Sequence, residues 1–217
     1  MFALLLVAAA GCDSTAGRKQ PSPSMSTKPT AAPTVLVPTN TDVTVKPPAG
    51  SLTAPQREVL AVYEEYIAAE YRFYSHPWFV DPVYARIVKP GSPFAPLATD
   101  TIGRIGSVLV EVRSVQLTGA TKARVETCTD DRAVRYLGRN GEIDIKGPAG
   151  DKLRGGILEG NIRLEYTTEA AEDGSTSKTP RWLIAGGGAL ADDGTCASLA
   201  AKPPLTPTPR TPITATP

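Results

Sequence analysis

The chain has 217 residues, a formal net charge of +1 and an aromatic content of 6%. Near-neutral charge supplies no electrostatic case for nucleic acid or for an acidic partner. The 21 prolines crowd towards the two ends, so one folded segment between two unfolded tails is expected.

At the N-terminus an apolar run from Phe2 to Ala10 leads into Gly11 and Cys12, and the chain then turns polar at once. That length suits a secretory signal and is far too short to span a bilayer. Ala9-Ala10-Gly11-Cys12 resembles the lipobox of bacterial lipoproteins, with Ala9 where the family most often carries Leu. The resemblance implies a signal peptide over residues 1–11 and a lipidated Cys12 as first residue of the mature chain. Two or three acyl chains anchor stably where one does so marginally. The expected location is the cell membrane, lipid-anchored on its extracytoplasmic face. No Lys or Arg precedes the apolar run, which puts the true start of the signal upstream.

Residues 12–50 then read as a stalk rich in Pro, Ser and Thr without one aromatic residue. Such a segment cannot bury enough apolar surface to offset its ordering entropy. As polyproline II it would reach on the order of 100 Å. Residues 197–217, with Pro203-Pro204-Leu205-Thr206-Pro207, read as a second tail, either O-glycosylated or a bare spacer. The expected domain is residues 51–196. With Cys12 lipidated, Cys128 and Cys196 remain, an even pair that an exported domain joins as a disulfide. A metal pair would lack ligands, since His76 is the one histidine and no Cys-x-x-Cys occurs. No cofactor and no metal site are expected.

Within the domain, Thr53 and Gln56 have capping-box spacing with Pro55 in the first turn. Val59, Val62, Tyr63, Tyr66 and Ile67 recur at three- and four-residue steps. They predict a helix to about Tyr74, stopped before His76-Pro77. Asp81-Pro82 starts a short second helix to Val88, and residues 96–105 are read as a third. Alternating strands follow at Val108–Arg113, Ala123–Cys128 and Val134–Tyr136, with a hairpin signal at Asn140-Gly141 before Ile143 and Ile145. Further strands are read around Ile162–Thr167 and Trp182–Ile184. Helices first and hairpins afterwards mean α+β with an antiparallel sheet.

That order, the Val125-x-x-Cys128-x-Asp130 pattern, Arg181-Trp182 and a terminal cysteine together resemble the NTF2-like (SnoaL-like) lipoproteins of actinobacteria. The resemblance implies a long N-terminal helix packed in a curved antiparallel sheet, a cone that leaves room for a pocket. Tyr63, Tyr66 and Trp182 would be the pocket-lining residues. Enzymes of similar fold place a carboxylate or imidazole inside the cone. Here Asp144 alternates away from Ile143 and Ile145, and His76 has no triad partner. Asp130-Asp131 and Asp192-Asp193 sit at strand ends, where Asp is common in turns. Gly186-Gly187-Gly188 lacks the Lys-Ser/Thr of a phosphate loop and reads as a bulge or a close backbone approach. No catalytic residue is assigned. The expected function is a non-catalytic, lipid-anchored surface domain that binds a small apolar ligand or an envelope protein. The alternatives are a cyclase or isomerase with a carboxylate in the cone, and a cell-wall accessory protein acting through its tails.

Overall fold

The computed structural model describes residues 36–37, 41–75, 81–92, 101–138, 155–206 and 213–214. The chain divides into two compact units, Met1–Pro33 and Thr34–Pro217, and every described residue lies in the second. The signal segment, Cys12, His76, Asp144 and the Asn140-Gly141 hairpin lie outside the described residues.

The second unit is α+β. Its strands are β1 (Leu36–Val37), β2 (Thr41–Lys46), β3 (Thr101–Thr118), β4 (Lys122–Asp130), β5 (Arg135–Gly138), β6 (Ile157–Thr167), β7 (Arg181–Ala191) and β8 (Ile213–Thr214). Its helices are α1 (Ala54–Ser75), α2 (Pro82–Ile87) and α3 (Ala197–Ala200). An open sheet of 6 strands runs β2-β3-β4-β6-β7, with β5 paired to the first part of β3. β1 and β8 pair separately, Leu36 opposite Thr214.

Helix α1 starts where the capping box places it. The Thr53 N–H donates to Gln56 Oε1 at 2.9 Å, and the Gln56 N–H donates back to Thr53 Oγ1 at 3.4 Å. Val59, Leu60, Tyr63, Tyr66 and Ile67 form its buried face. Helix α2 is capped by Asp81, whose Oδ1 accepts from the Val83 and Tyr84 N–H groups at 2.9 and 3.2 Å. Arg72 Nε, in the last turn of α1, donates to the other Asp81 oxygen at 2.6 Å and ties the two helices together.

Strand alternation sorts the sheet into two faces. Val108, Val110 and Val112 of β3, Ala123 and Val125 of β4, Ile162 and Leu164 of β6, and Trp182 and Ile184 of β7 pack into the α1–α2 core. Each such Val, Leu or Ile side chain contributes about 1.5–3 kcal/mol of burial. Leu109 and Cys128 project from the opposite face, where they meet Cys196, Leu199 and Leu205.

Four expectations change. The sheet is mixed rather than antiparallel, because β2 runs parallel to β3 from Thr41 opposite Gly106 to Lys46 opposite Glu111. Strand β2 comes from the segment read as stalk: Val43 and Val45 alternate on to the core, so residues 41–46 belong to the fold. Residues 101–105, read as the end of a third helix, are strand, with β-branched Thr101, Ile102 and Ile105 and with glycines at 103 and 106. The fourth change is at the C-terminal tail. Its first residues are folded: Leu199 of α3 is fully buried. Arg132 donates to the carbonyls of Leu199, Ala200 and Lys202 at 3.5, 3.2 and 2.7 Å.

Candidate functional site

Two places concentrate polar chemistry that the fold alone does not demand. The first is a buried cluster where the end of α1 meets the start of β3. The Arg104 guanidinium lies 5.7 Å from the Tyr71 ring centre and 5.0 Å from that of Tyr136, a cation held between two aromatic faces. Asp131 belongs to the same neighbourhood and is only 3% exposed. Its carboxylate accepts from the Gly156 N–H at 2.5 Å, and its own N–H donates to the Gly156 carbonyl at 3.0 Å. Burial pushes the Asp131 carboxyl above the ordinary range. The Gly156 N–H and the Arg104 charge oppose that shift, and the charge of Asp130 adds to it. Burial likewise raises the Tyr71 hydroxyl, with the Asp131 charge adding to the effect. The neighbouring Asp130 has a different fate. It points to the other face and makes a two-oxygen ion pair with Arg132, at 2.8 and 2.7 Å. Adjacent residues on a strand end face opposite ways, so one carboxylate is paired and the other is buried beside two tyrosines.

The second place is the sheet face opposite α1, beyond the end covered by α3. Arg124 of β4 stands directly across from Arg163 of β6, which stands across from Gly186 of β7. The next row is Glu126, Asn161 and Gly188. Arg124 Nε donates to Asn161 Oδ1 at 2.9 Å and lies 3.5 Å from Glu126. A groove of about 580 Å³ opens here, lined by Arg124, Asn161, Arg163, Gly187, Gly188 and Leu190. Leu190 is 77% exposed.

The glycines of β7 serve two purposes. Gly186 and Gly187 have φ of +142° and +114°, and the ladder to β6 shifts register beside them. A Cβ on Gly187 would collide with the Asn161 carbonyl. The bulge and the close backbone approach read from the sequence are both present. Gly188 is different: its φ is ordinary, and a Cβ there meets nothing within 4 Å. Neither backbone strain nor packing requires glycine at 188, and the space it leaves is part of the groove.

The residues singled out as pocket-lining are buried. Tyr63, Tyr66 and Trp182 are 1%, 2% and 7% exposed. Tyr63 engages the Thr127 side chain, and burial raises its hydroxyl well above the usual value. The Tyr63 and Tyr66 rings lie 6.3 Å apart, and the Trp182 ring lies 5.2 Å from that of Tyr166, tilted by 46°. Cys128 and Cys196 form a disulfide, with Cα atoms 5.6 Å apart. Asp192-Asp193 remains a turn pair in its hydrogen bonding. Asp192 Oδ1 accepts from the Cys196 N–H at 2.7 Å, and Asp193 Oδ1 accepts from Thr195 Oγ1 at 2.8 Å. With Glu159 these carboxylates bring one oxygen each within 4.8 Å. The hydrogen bonds of the 192–196 turn hold Asp192 and Asp193 in place there.

No family model matches the chain, and no curated protein matches it in sequence.

Proposed function

We propose that the chain is an exported, lipid-anchored surface domain of NTF2-like shape that binds an envelope component and does not catalyse. The observation that carries this reading is the contrast between the two sheet faces. Among the described residues, Tyr63, Tyr66 and Trp182 fill the helix-covered face, while the opposite face carries an open groove. A binding surface outside the sheet therefore has more support than an apolar cavity under α1. The lipobox-like Ala9-Ala10-Gly11-Cys12 supports the anchor. Expression of the Cys12→Ser full chain tests it: the protein moves from the membrane fraction to the medium and loses labelled acyl chain. Retention at the membrane without Cys12 overturns the reading. Titration of the full chain with the neutral apolar dye Nile red is expected to give no saturable site, and a saturable site would restore the apolar-ligand version.

The second reading, an enzyme of the isomerase kind, has one observation in its favour: Asp131 is a buried carboxyl with a raised pKa beside two tyrosines. Its other role is structural, since it clasps the backbone at Gly156. Exchange of deuterium into a panel of enolisable ketones separates the two. No exchange above buffer is expected. Exchange lost in Asp131→Asn would establish the enzyme.

A further inference from the structure

We propose that the outer-face groove is a binding site for an acidic saccharide unit: one carboxylate or phosphate group on a hydroxylated, sugar-sized body. The first ground is the placement of Arg124 directly opposite Arg163. Like charges in direct cross-strand register destabilise a sheet. Arg124 is partly compensated by Asn161 and Glu126. Among the described residues, no hydrogen bond or ion pair engages the Arg163 guanidinium, although its charge is felt by Glu165. Both arginines line the groove, so it offers two guanidinium forks to the oxygens of one oxyanion.

The second ground is the floor. A Cβ on Gly186 would lie 3.0 Å from Arg163 Nη2, so the guanidinium rests over bare backbone. Gly188 keeps the neighbouring space clear without a structural need. The site therefore combines a cationic pair, an amide at Asn161, unshielded backbone and one apolar side chain, Leu190. That mixture suits a polyol carrying one charge. The volume of about 580 Å³ suits a small organic ligand.

The third ground limits the charge. Glu126 shares a row with Asn161, Glu159 pairs with Leu190, and Glu165 follows Arg163 by two positions on β6. These carboxylates flank the arginines on the same face. Glu126 and Glu159 repel a polyanion and tolerate a single oxyanion at the arginines, while Glu165 is held by Lys89 at 2.5 Å. Nucleic acid is disfavoured on this ground.

The assignment rests on the reading of the domain as a binder. It is tested separately, because release of Cys12→Ser into the medium does not depend on the groove. The full chain is titrated by NMR or calorimetry with glucuronate, glucose 6-phosphate, glucose and inorganic phosphate. Saturable binding of glucuronate or glucose 6-phosphate, without binding of glucose, supports the site, and the preferred arm identifies the oxyanion. Arg163→Gln is expected to weaken binding about tenfold or more while leaving Tm unchanged or raised, because it removes the like-charge pair. Gly188→Leu fills the groove and is expected to abolish binding with the fold intact. Absence of saturable binding by both acidic sugars up to about 10 mM overturns the proposal. So does unchanged affinity in Arg163→Gln, or binding of inorganic phosphate as tight as that of the sugars.

Discussion

Removing the Cys128–Cys196 bridge by the double substitution Cys128→Ala and Cys196→Ala frees a loop with a sequence separation of 68. In the chain-entropy treatment, closing a loop of that length restricts the unfolded chain by about 4 kcal/mol. The native state loses little in return, because alanines leave Leu199 and Leu205 in contact with Leu109 and because Arg132 still holds the α3 carbonyls. For a domain of this size, 1 kcal/mol moves Tm by about 2–4 °C. The double variant should therefore melt about 8–16 °C below the parent. Calorimetry on the full chain, with and without reductant, reads this directly. Reduction of the parent should reproduce the loss, and the double variant should ignore the reductant. The competing possibility is that the bridge only staples α3 to β4. Hydrogen exchange at the Ala200, Ala201 and Lys202 amides would then rise with no change in the main transition. That outcome, or a drop in Tm of less than about 3 °C, would refute the reasoning from loop entropy. Alkylation of a thiol on the unreduced parent would remove its premise.

Two further predictions come from single positions. Gly187→Ala places a Cβ against the Asn161 carbonyl at a φ of +114° and should cost about 1–3 kcal/mol in urea unfolding. Gly188→Ala, one residue on, should stay within about 0.5 kcal/mol, and equal losses at the two sites would contradict the geometry. Asp131 has a folded-state pKa raised chiefly by burial. Its protonated form is therefore favoured by folding, and the stability it supplies at low pH is lost as pH rises through the folded value. Asp131→Asn keeps an acceptor for Gly156 without the charge, so its stability relative to the parent should grow from pH 4 to pH 7. A difference independent of pH would rule this out.

What the sequence made legible is what depends on near neighbours. The Thr53–Gln56 box, the Asp81 cap and the turn role of Asp192-Asp193 each involve residues within four positions, and their hydrogen bonds form as spacing suggests. The alternation of Val108, Val110 and Val112 identifies a buried face without any knowledge of the partner strand. Strand β2 escaped because Pro47 and Pro48 follow it closely and because its parallel partner, Gly106–Glu111, is remote in sequence. The buried cluster escaped for the same reason. Tyr71 sits on a helix, Arg104 on a strand and Asp131 in a turn, and only the fold brings the three together. The groove depends on register: Arg124 and Arg163 are unremarked outward positions until β4 and β6 pair. The one local signal was the triple glycine in a strand, which marked a bulge and a close approach but not the empty space at Gly188.

Places where a chain works against its own stability say more about function than places where it agrees with it. Elsewhere in this domain the choices agree. Lys89 lies between Glu165 and Glu169 at 2.5 and 2.7 Å, and Glu111 lies between Lys46 and Lys202 at 3.6 and 2.8 Å. Arg132 pairs with Asp130, and Arg72 with Asp81. Against that pattern, two sites stand out: the carboxyl of Asp131, buried beside tyrosines, and the arginines of β4 and β6 in direct cross-strand register. Asp131 has a structural return, because both its side chain and its backbone hold the chain at Gly156. Arg163 has no such return among the described residues, and glutamine or threonine would fit its exposed position without repelling Arg124. The cost at Arg163 is unexplained by the fold and is explained by an anion held in the groove that both arginines line. Measuring Tm and affinity together in Arg163→Gln is therefore decisive: a structural arginine loses stability on removal, and a binding arginine loses ligand.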